Sequence, residues 1–192
     1  VLPYRASSED GFAMIALTPP VEHASKTPRD VTFVLDVSGS MNGKKIEQAR
    51  AAGRQLVESL RPDDRFRLID FSTDVRTFRD GWAQGTQENI AAAEKYFGQL
   101  EAEGSTNIEA ALSEALSNQS DDAERLPIVL FITDGEPTVG ERNTDKLVAN
   151  MVAKRGRTRL FTFGLGADVN ASLLEQLALE GRGTAQFVRP DE

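Results

Sequence analysis

Asp36-Val37-Ser38-Gly39-Ser40 sets one carboxylate and two hydroxyls at alternate positions, and Gly39 permits the tight turn that lets all three oxygens converge. Gly104-Ser105-Thr106-Asn107 offers a further hydroxyl, and Thr133-Asp134-Gly135 supplies a second carboxylate. Asp36, Ser38, Ser40, Thr106 and Asp134 are therefore the candidate metal ligands. Their hard oxygens suit a hard cation, and a compact octahedral set completed by waters fits Mg2+, with Mn2+ also able to bind, better than the carboxylate-rich cages of Ca2+. Zero Cys and a single His remove the thiolate nucleophile, the disulfide and zinc sites built on Cys or several His. Hydroxyl ligands are neutral, so the cation keeps much of its charge, and a carboxylate from another protein can complete its shell.

These loops can meet only if strands and helices bring them together. Val31–Leu35 is a short apolar run ending at Asp36, and Lys44–Leu60 places Ile46, Ala49, Gly53, Leu56, Val57 and Leu60 along one helical stripe. After the break at Pro62-Asp63-Asp64, Phe66–Phe71 and Val75–Phe78 read as a hairpin at a sheet edge. Gln87–Leu100 and Asn107–Asn118 are amphipathic helices, and Ile128–Thr133 is a continuous buried-type strand. Thr144–Lys154 and Ala171–Leu179 read as helices, Arg159–Phe163 and Ala185–Val188 as strands. This alternation predicts an α/β fold with a doubly wound, mostly parallel sheet flanked by helices. Winding outward from Val31–Leu35 gives the strand order 3-2-1-4-5-6, with an antiparallel strand at the edge. Asp36 and Asp134 then sit at the carboxyl ends of adjacent strands, where open α/β sheets bind ligands. Upstream, Gly11–Leu17 reads as an extra strand and Thr18–Asp30, with Pro19, Pro20 and Pro28, as a connector. The chain divides into residues 1–30 and a main domain, 31–192.

Composition narrows the function. The 192 residues fit one ordinary domain, and 40% hydrophobic with 27% charged residues is a globular balance. Thirty acidic against 22 basic residues give a formal charge of −8, which argues against nucleic acid as a partner. The longest apolar runs, such as Pro127–Thr133, are too short to insert into a membrane, and Val1 opens no leader pattern.

Other readings of the same residues compete. Alone, Asp-x-Ser-x-Ser also describes a capped helix entrance with no metal. A phosphohydrolase reading makes Asp36 a nucleophile assisted by Mg2+ and Asp134; it lacks a second Asp where Ser38 stands, and no Lys is evident at a motif position to balance a phosphate. Gly164-Leu165-Gly166 lacks the third glycine of a dinucleotide loop, Val169 standing there, and reads as a strand-to-helix turn. His23 lies in the connector as a surface residue. Trp82, with Phe78, either anchors its loop on the domain or forms an aromatic rim for a partner. From Tyr96 to Glu124 every charged residue is acidic, a solvated face or a field that repels acidic partners away from the metal. Lys154, Arg155, Arg157 and Arg159 read as a charge complement to a helix C-terminus.

Asp36-Val37-Ser38-Gly39-Ser40-Met41, Gly104-Ser105-Thr106-Asn107-Ile108 and Thr133-Asp134-Gly135, in this order, resemble the von Willebrand factor type A domain and its metal-ion-dependent adhesion site. The resemblance covers about Val31 to Val188. It implies a Rossmann-like fold whose divalent ion is held by Ser38, Ser40 and Thr106, with Asp36 and Asp134 ligating directly or through water. A partner's Glu or Asp takes the open position. Phe12–Pro20 and Pro28-Arg29-Asp30-Val31 are similar to the chain joining a VIT domain to the type A domain in inter-alpha-trypsin inhibitor heavy chains and their bacterial surface homologues.

The expectation is a non-enzymatic, metal-dependent adhesion domain, monomeric, extracellular or at a cell surface, a bacterial envelope included. Its protein ligand presents an Asp or Glu. Ser72, Asp74 and Glu136 are candidates for the ligand-binding rim, on the Ser72–Thr86 segment and the Glu136–Asn143 loop. The alternatives are a cytoplasmic scaffold or assembly domain of the same fold, and a Mg2+-dependent phosphohydrolase.

Overall fold

Near the amino terminus, β1 (Leu2–Tyr4) pairs antiparallel with β2 (Phe12–Met14) as a two-stranded sheet of its own. Within the strand expected over Gly11–Leu17, the described residues Phe12–Met14 are extended and have a partner that their own sequence does not announce. The computed structural model describes residues 2–4, 12–14, 27–118, 122–166 and 169–188, so His23 and most of the connector lie outside the described residues.

The main sheet grows around β3 (Arg29–Asp36), which is buried over all but its first residue. Such a strand reads as a continuous apolar run because both of its faces are covered. It is flanked in parallel by β4 (Arg65–Phe71) on one side and by a strand from the second half of the chain on the other. Beyond β4 lie β5 (Val75–Thr77) and β6 (Ala83–Gln84), both antiparallel to it. On the opposite side follow β7 (Leu126–Thr133), β8 (Arg159–Leu165) and β9 (Ala185–Val188), all parallel. The order β5-β4-β3-β7-β8-β9 is the expected one, with β6 added beside β4.

The helices are α1 (Lys44–Glu58), α2 (Gln87–Gln99), α3 (Ile108–Ser117), α4 (Thr144–Lys154) and α5 (Ala171–Glu180). Side chains alternate across the strands, so Phe33 and Leu35 meet Ile46, Ala49, Ala93 and Phe97 of α1 and α2. Val34 and Ile69 face the other way, onto Ile108, Leu112, Leu147 and Leu173 of α3, α4 and α5. The two apolar layers hold the sheet between them.

At the amino ends of the strands the buried polar groups are carboxylates clasped by arginines. Asp64, which from sequence alone serves only to break the chain, is fully buried. It accepts bonds from Arg29 Nη2 at 2.6 Å, Arg61 Nη2 at 3.0 Å and the main-chain N–H groups of both. Burial alone would raise its pKa, yet these donors hold it well below the ordinary carboxylate range. Asp30 is held likewise by Arg65 at 2.7 and 3.0 Å and by Arg125 at 2.5 Å. The Trp82 ring lies 5.6 Å from the Arg65 guanidinium carbon and 5.9 Å from that of Arg67. Because β6 pairs with Arg65 and Phe66, Trp82 anchors its loop at this end of β4. The later half of the Ser72–Thr86 segment thus runs away from the carboxyl ends, a correction to its expected place in the rim.

Removing a carboxylate that two arginines share strands their charges. Asp64→Ala is expected to cost about 3 kcal/mol of stability in denaturant titrations. The folded pKa is depressed, so the wild-type advantage is full above about pH 4 and shrinks as the pH falls further. An Asp64→Ala curve that overlays the wild type at neutral pH would contradict this role.

Candidate metal centre

Parallel pairing sets Leu35 opposite Ile132, which brings Asp36 at the end of β3 beside Thr133 at the end of β7. Asp36 is fully buried. Its Oδ1 accepts the Ser38 N–H at 2.8 Å and its Oδ2 accepts the Thr133 hydroxyl at 2.5 Å. Ser38 Oγ lies 3.1 Å from Ser40 Oγ, and Ser40 donates to Asp134 Oδ1 at 2.8 Å. A Cβ built on Gly135 would stand 3.6 Å from Ser40 Oγ and 3.7 Å from Thr106 Oγ1, so the third hydroxyl opens on the same point. Asp36, Ser38, Ser40, Thr106 and Asp134 are thus gathered at one crevice.

The serines are not spent on helix capping. Ser38 precedes a short 3₁₀ turn over Gly39–Met41 but makes no side-chain capping bond, and the residue before α1 is Gly43. The capped-entrance reading therefore leaves the two hydroxyls unexplained, whereas a cation would use both.

Long-range bonds position the second loop. Gly39 N–H donates to Gly104 O at 3.0 Å, tying the first loop to the second. Thr106 donates its N–H to Thr138 Oγ1 at 2.8 Å and accepts the Thr138 N–H at 2.9 Å. Ser105 N–H donates to Thr73 Oγ1 at 3.0 Å, and Asn107 N–H to the Ser72 carbonyl at 2.9 Å. Asn107 caps α3 by accepting the Ala110 N–H at 3.1 Å, which fixes where Thr106 must stand. Ser72 is a support of the site, while Asp74 and Glu136 are exposed on the loops after β4 and β7. Thr73 and Thr138 carry no local signal: each acts on a residue 32 positions away.

A lysine does stand at the motif. Lys45, in the first turn of α1, places Nζ 2.5 Å from Asp134 Oδ2, which corrects the expectation that no lysine stands at a motif position. Among the described residues no group of three or more His, Cys, Asp or Glu gathers, so the centre rests on its two carboxylates and its hydroxyls. Burial raises the pKa of Asp36 to about 6 although bonds from Ser38 and Thr133 oppose the rise, and the Asp134 charge adds to it. Keeping Asp36 ionised at neutral pH costs the metal-free fold on the order of 3 kcal/mol. A divalent cation fits this donor set because it offsets that charge with hard-oxygen contacts.

A family model for the von Willebrand factor type A domain matches residues 29–187. Inter alpha-trypsin inhibitor, heavy chain 4 of Mus musculus is 38% identical over 191 residues, covering 95% of this chain and 20% of that protein. The chain thus spans about a fifth of the length of such relatives. Among solved structures, a von Willebrand factor type A protein from Catenulispora acidiphila superposes with a TM-score of 0.77 at 22% identity, covering 86% of this chain and 40% of that one. Proximal thread matrix protein 1 from the mussel byssus, with a zinc-occupied MIDAS motif, superposes at 0.68 and 19% identity, covering 85% of this chain and 44% of that one.

The raised pKa of Asp36 has a measurable sign. Between about pH 4 and 6 the folded protein holds a proton that the unfolded chain releases, so this group adds stability as the pH falls through 6. In chelator at pH 7, Asp36→Asn should match or exceed wild-type stability, with the gap closing toward pH 4. A large loss of metal-free stability in Asp36→Asn would show that the charge is not what strains the site.

Proposed function

The chain belongs to the von Willebrand factor type A domain family, of the inter-alpha-trypsin inhibitor heavy chain type, and from that premise we propose that it is a metal-dependent protein-binding domain. The observation that carries the proposal is the convergence of Asp36, Ser38, Ser40, Thr106 and Asp134 at the carboxyl ends of β3 and β7. The Ser38, Ser40 and Thr106 hydroxyls would hold Mg2+ or Mn2+, with Asp36 and Asp134 ligating directly or through water. The bound ion supplies an electron-pair acceptor for one carboxylate oxygen of a partner protein's Asp or Glu.

The chain's own residues prepare that encounter. Ser38 N–H and Thr133 fix the Asp36 carboxylate, and Thr138 fixes the Thr106 loop, so the donors do not reorganise when a partner arrives. α1 begins at Lys44, four residues after Ser40, and α3 at Ile108, two residues after Thr106, so the positive ends of both helix dipoles lie close in sequence to the ligand hydroxyls and favour an anion there. Asp74 and Glu136, exposed beside the crevice, favour partners whose acidic residue is isolated rather than part of an acidic patch.

The domain is proposed to be non-enzymatic. A phosphoryl-accepting aspartate must present an oxygen to a bulky electrophile, whereas Asp36 is fully buried and its remaining lone pairs suit contact with a small ion or a water. No helix among the described residues is long and apolar enough to cross a membrane. An extracellular or cell-surface setting, where adhesion partners are met, suits this role.

The test is calorimetry and melting with the metals alone. At about a hundredfold excess over its Kd, Mg2+ or Mn2+ should raise the melting temperature by about 5–10 °C, and chelator should reverse it. Ser38→Ala with Thr106→Ala should abolish the rise while leaving the metal-free melting temperature within a few degrees of wild type. A wild-type melting curve indifferent to both metals would sink the proposal.

A further inference from the structure

Two features of the fold that the metal-binding reading does not use meet at one point: Lys45 and the Gly164-Leu165-Gly166 turn. Lys45 Nζ lies 2.5 Å from Asp134 Oδ2, and Ser40 holds the other oxygen of the same carboxylate at 2.8 Å. The Lys45 side chain is only 26% exposed, so it is laid into the crevice instead of extending into water. Helix electrostatics do not explain this, because a lysine in the first turn of α1 faces the positive end of the helix dipole.

The turn keeps its path open. Gly166 has φ +100°, a conformation strained for any residue with a side chain. A Cβ there would stand 3.0 Å from Lys45 Cε and 3.4 Å from Nζ. Glycine at 166 therefore admits both the turn at the end of β8 and the lysine that crosses it. Of the two glycines that resemble part of a dinucleotide loop, Gly166 makes room for an ammonium, while Gly164 makes room for Phe187 and Val169.

We propose that Lys45 is a tethered counter-cation that competes with the divalent ion for Asp134 and so sets the metal affinity of the site. This rests on the metal-binding reading above. Without metal, one ammonium faces the carboxylates of the crevice and stabilises Asp134 by direct contact. An ion held by Ser40, Thr106 and Asp134 would share its carboxylate with Nζ, and like charges at such range repel. Lys45 must swing out or the ion must bind less tightly. A partner carboxylate reverses the balance, since it adds the negative charge that lets both cations remain. The isolated domain is thereby biased against holding metal on its own and toward holding it together with an acidic partner.

The experiment titrates MgCl2 and MnCl2, with no partner, into the wild type, Lys45→Met, Lys45→Gln and Lys45→Arg, and melts each protein in chelator and in saturating Mg2+. Lys45→Met and Lys45→Gln are expected to bind either ion at least about tenfold more tightly than the wild type, a modest share of one charge–charge term at partial exposure. Lys45→Arg, which keeps the charge, should stay within about threefold. The stability order should also cross: the neutral variants melt below the wild type in chelator and above it in saturating metal. Should Lys45→Met fold poorly, Lys45→Gln carries the comparison, because it removes the charge and keeps an amide donor on a side chain one atom shorter. Unchanged or weaker metal affinity in the neutral variants, with clear binding by the wild type, overturns the role of Lys45 and leaves the metal site standing. No binding by any of the four proteins removes the metal site itself, and the role of Lys45 with it.

Discussion

The parallel pairing of β3 between β4 and β7 is the constraint on which the rest depends. In a parallel ladder each residue has a fixed neighbour, so matching Leu35 to Ile132 and Asp36 to Phe71 determines where three separate loops leave the sheet. A slip of one residue would reverse every side chain of β3, sending Phe33 and Leu35 toward α3 and Asp36 toward α1. The apolar layers forbid it, since Phe33, Val34 and Leu35 are all buried and each already fits one of two different packings. Core packing thus fixes the place of a carboxylate that contributes nothing to the core.

The same logic decides what can be read from sequence. Val31–Asp36, the α1 stripe and the run before Asp134 signal themselves through composition and period, so the sheet order and the five gathered oxygen-bearing residues follow from local pattern plus the winding rule. Residues whose role exists only after folding send no such signal. Thr138 reads like any loop threonine until β3 and β7 bring it against Thr106. Lys45 reads as half of a Lys-Lys pair opening a helix until the crevice closes around it. Asp64 reads as part of a Pro-Asp-Asp break because the arginines that bury it come from residue 29 as well as from residue 61. The aromatic near Gly81 is legible as an anchor or a rim, and only the pairing of Ala83 with Phe66 decides for the anchor.

The buried carboxylates of the sheet are treated in two opposite ways, paired with arginine or left to the crevice, and that contrast separates stability from function. At the amino ends Asp30 and Asp64 are each met by two arginines, with enough donors to satisfy both oxygens and a full opposing charge. Near the carboxyl end of β4 but on a separate set of partners, Asp70 is likewise held, by Arg76 at 2.7 Å and by the Tyr96 hydroxyl. At the carboxyl ends Asp36 has hydrogen bonds but no arginine, and Asp134 has one partly exposed lysine. Hydrogen bonds satisfy lone pairs without neutralising charge, so Asp36 stays raised to about 6 where Asp64 is driven down. An arginine beside Asp36 would pair its buried charge, yet it would fill the crevice with a permanent cation that resists displacement by a metal. A lysine on a flexible stem is the compromise: enough charge to keep the empty crevice folded, and little enough fixed geometry to yield it. The clasps at the amino ends of β3 and β4 offset this, because a domain anchored by paired charges there tolerates an unbalanced charge in the crevice.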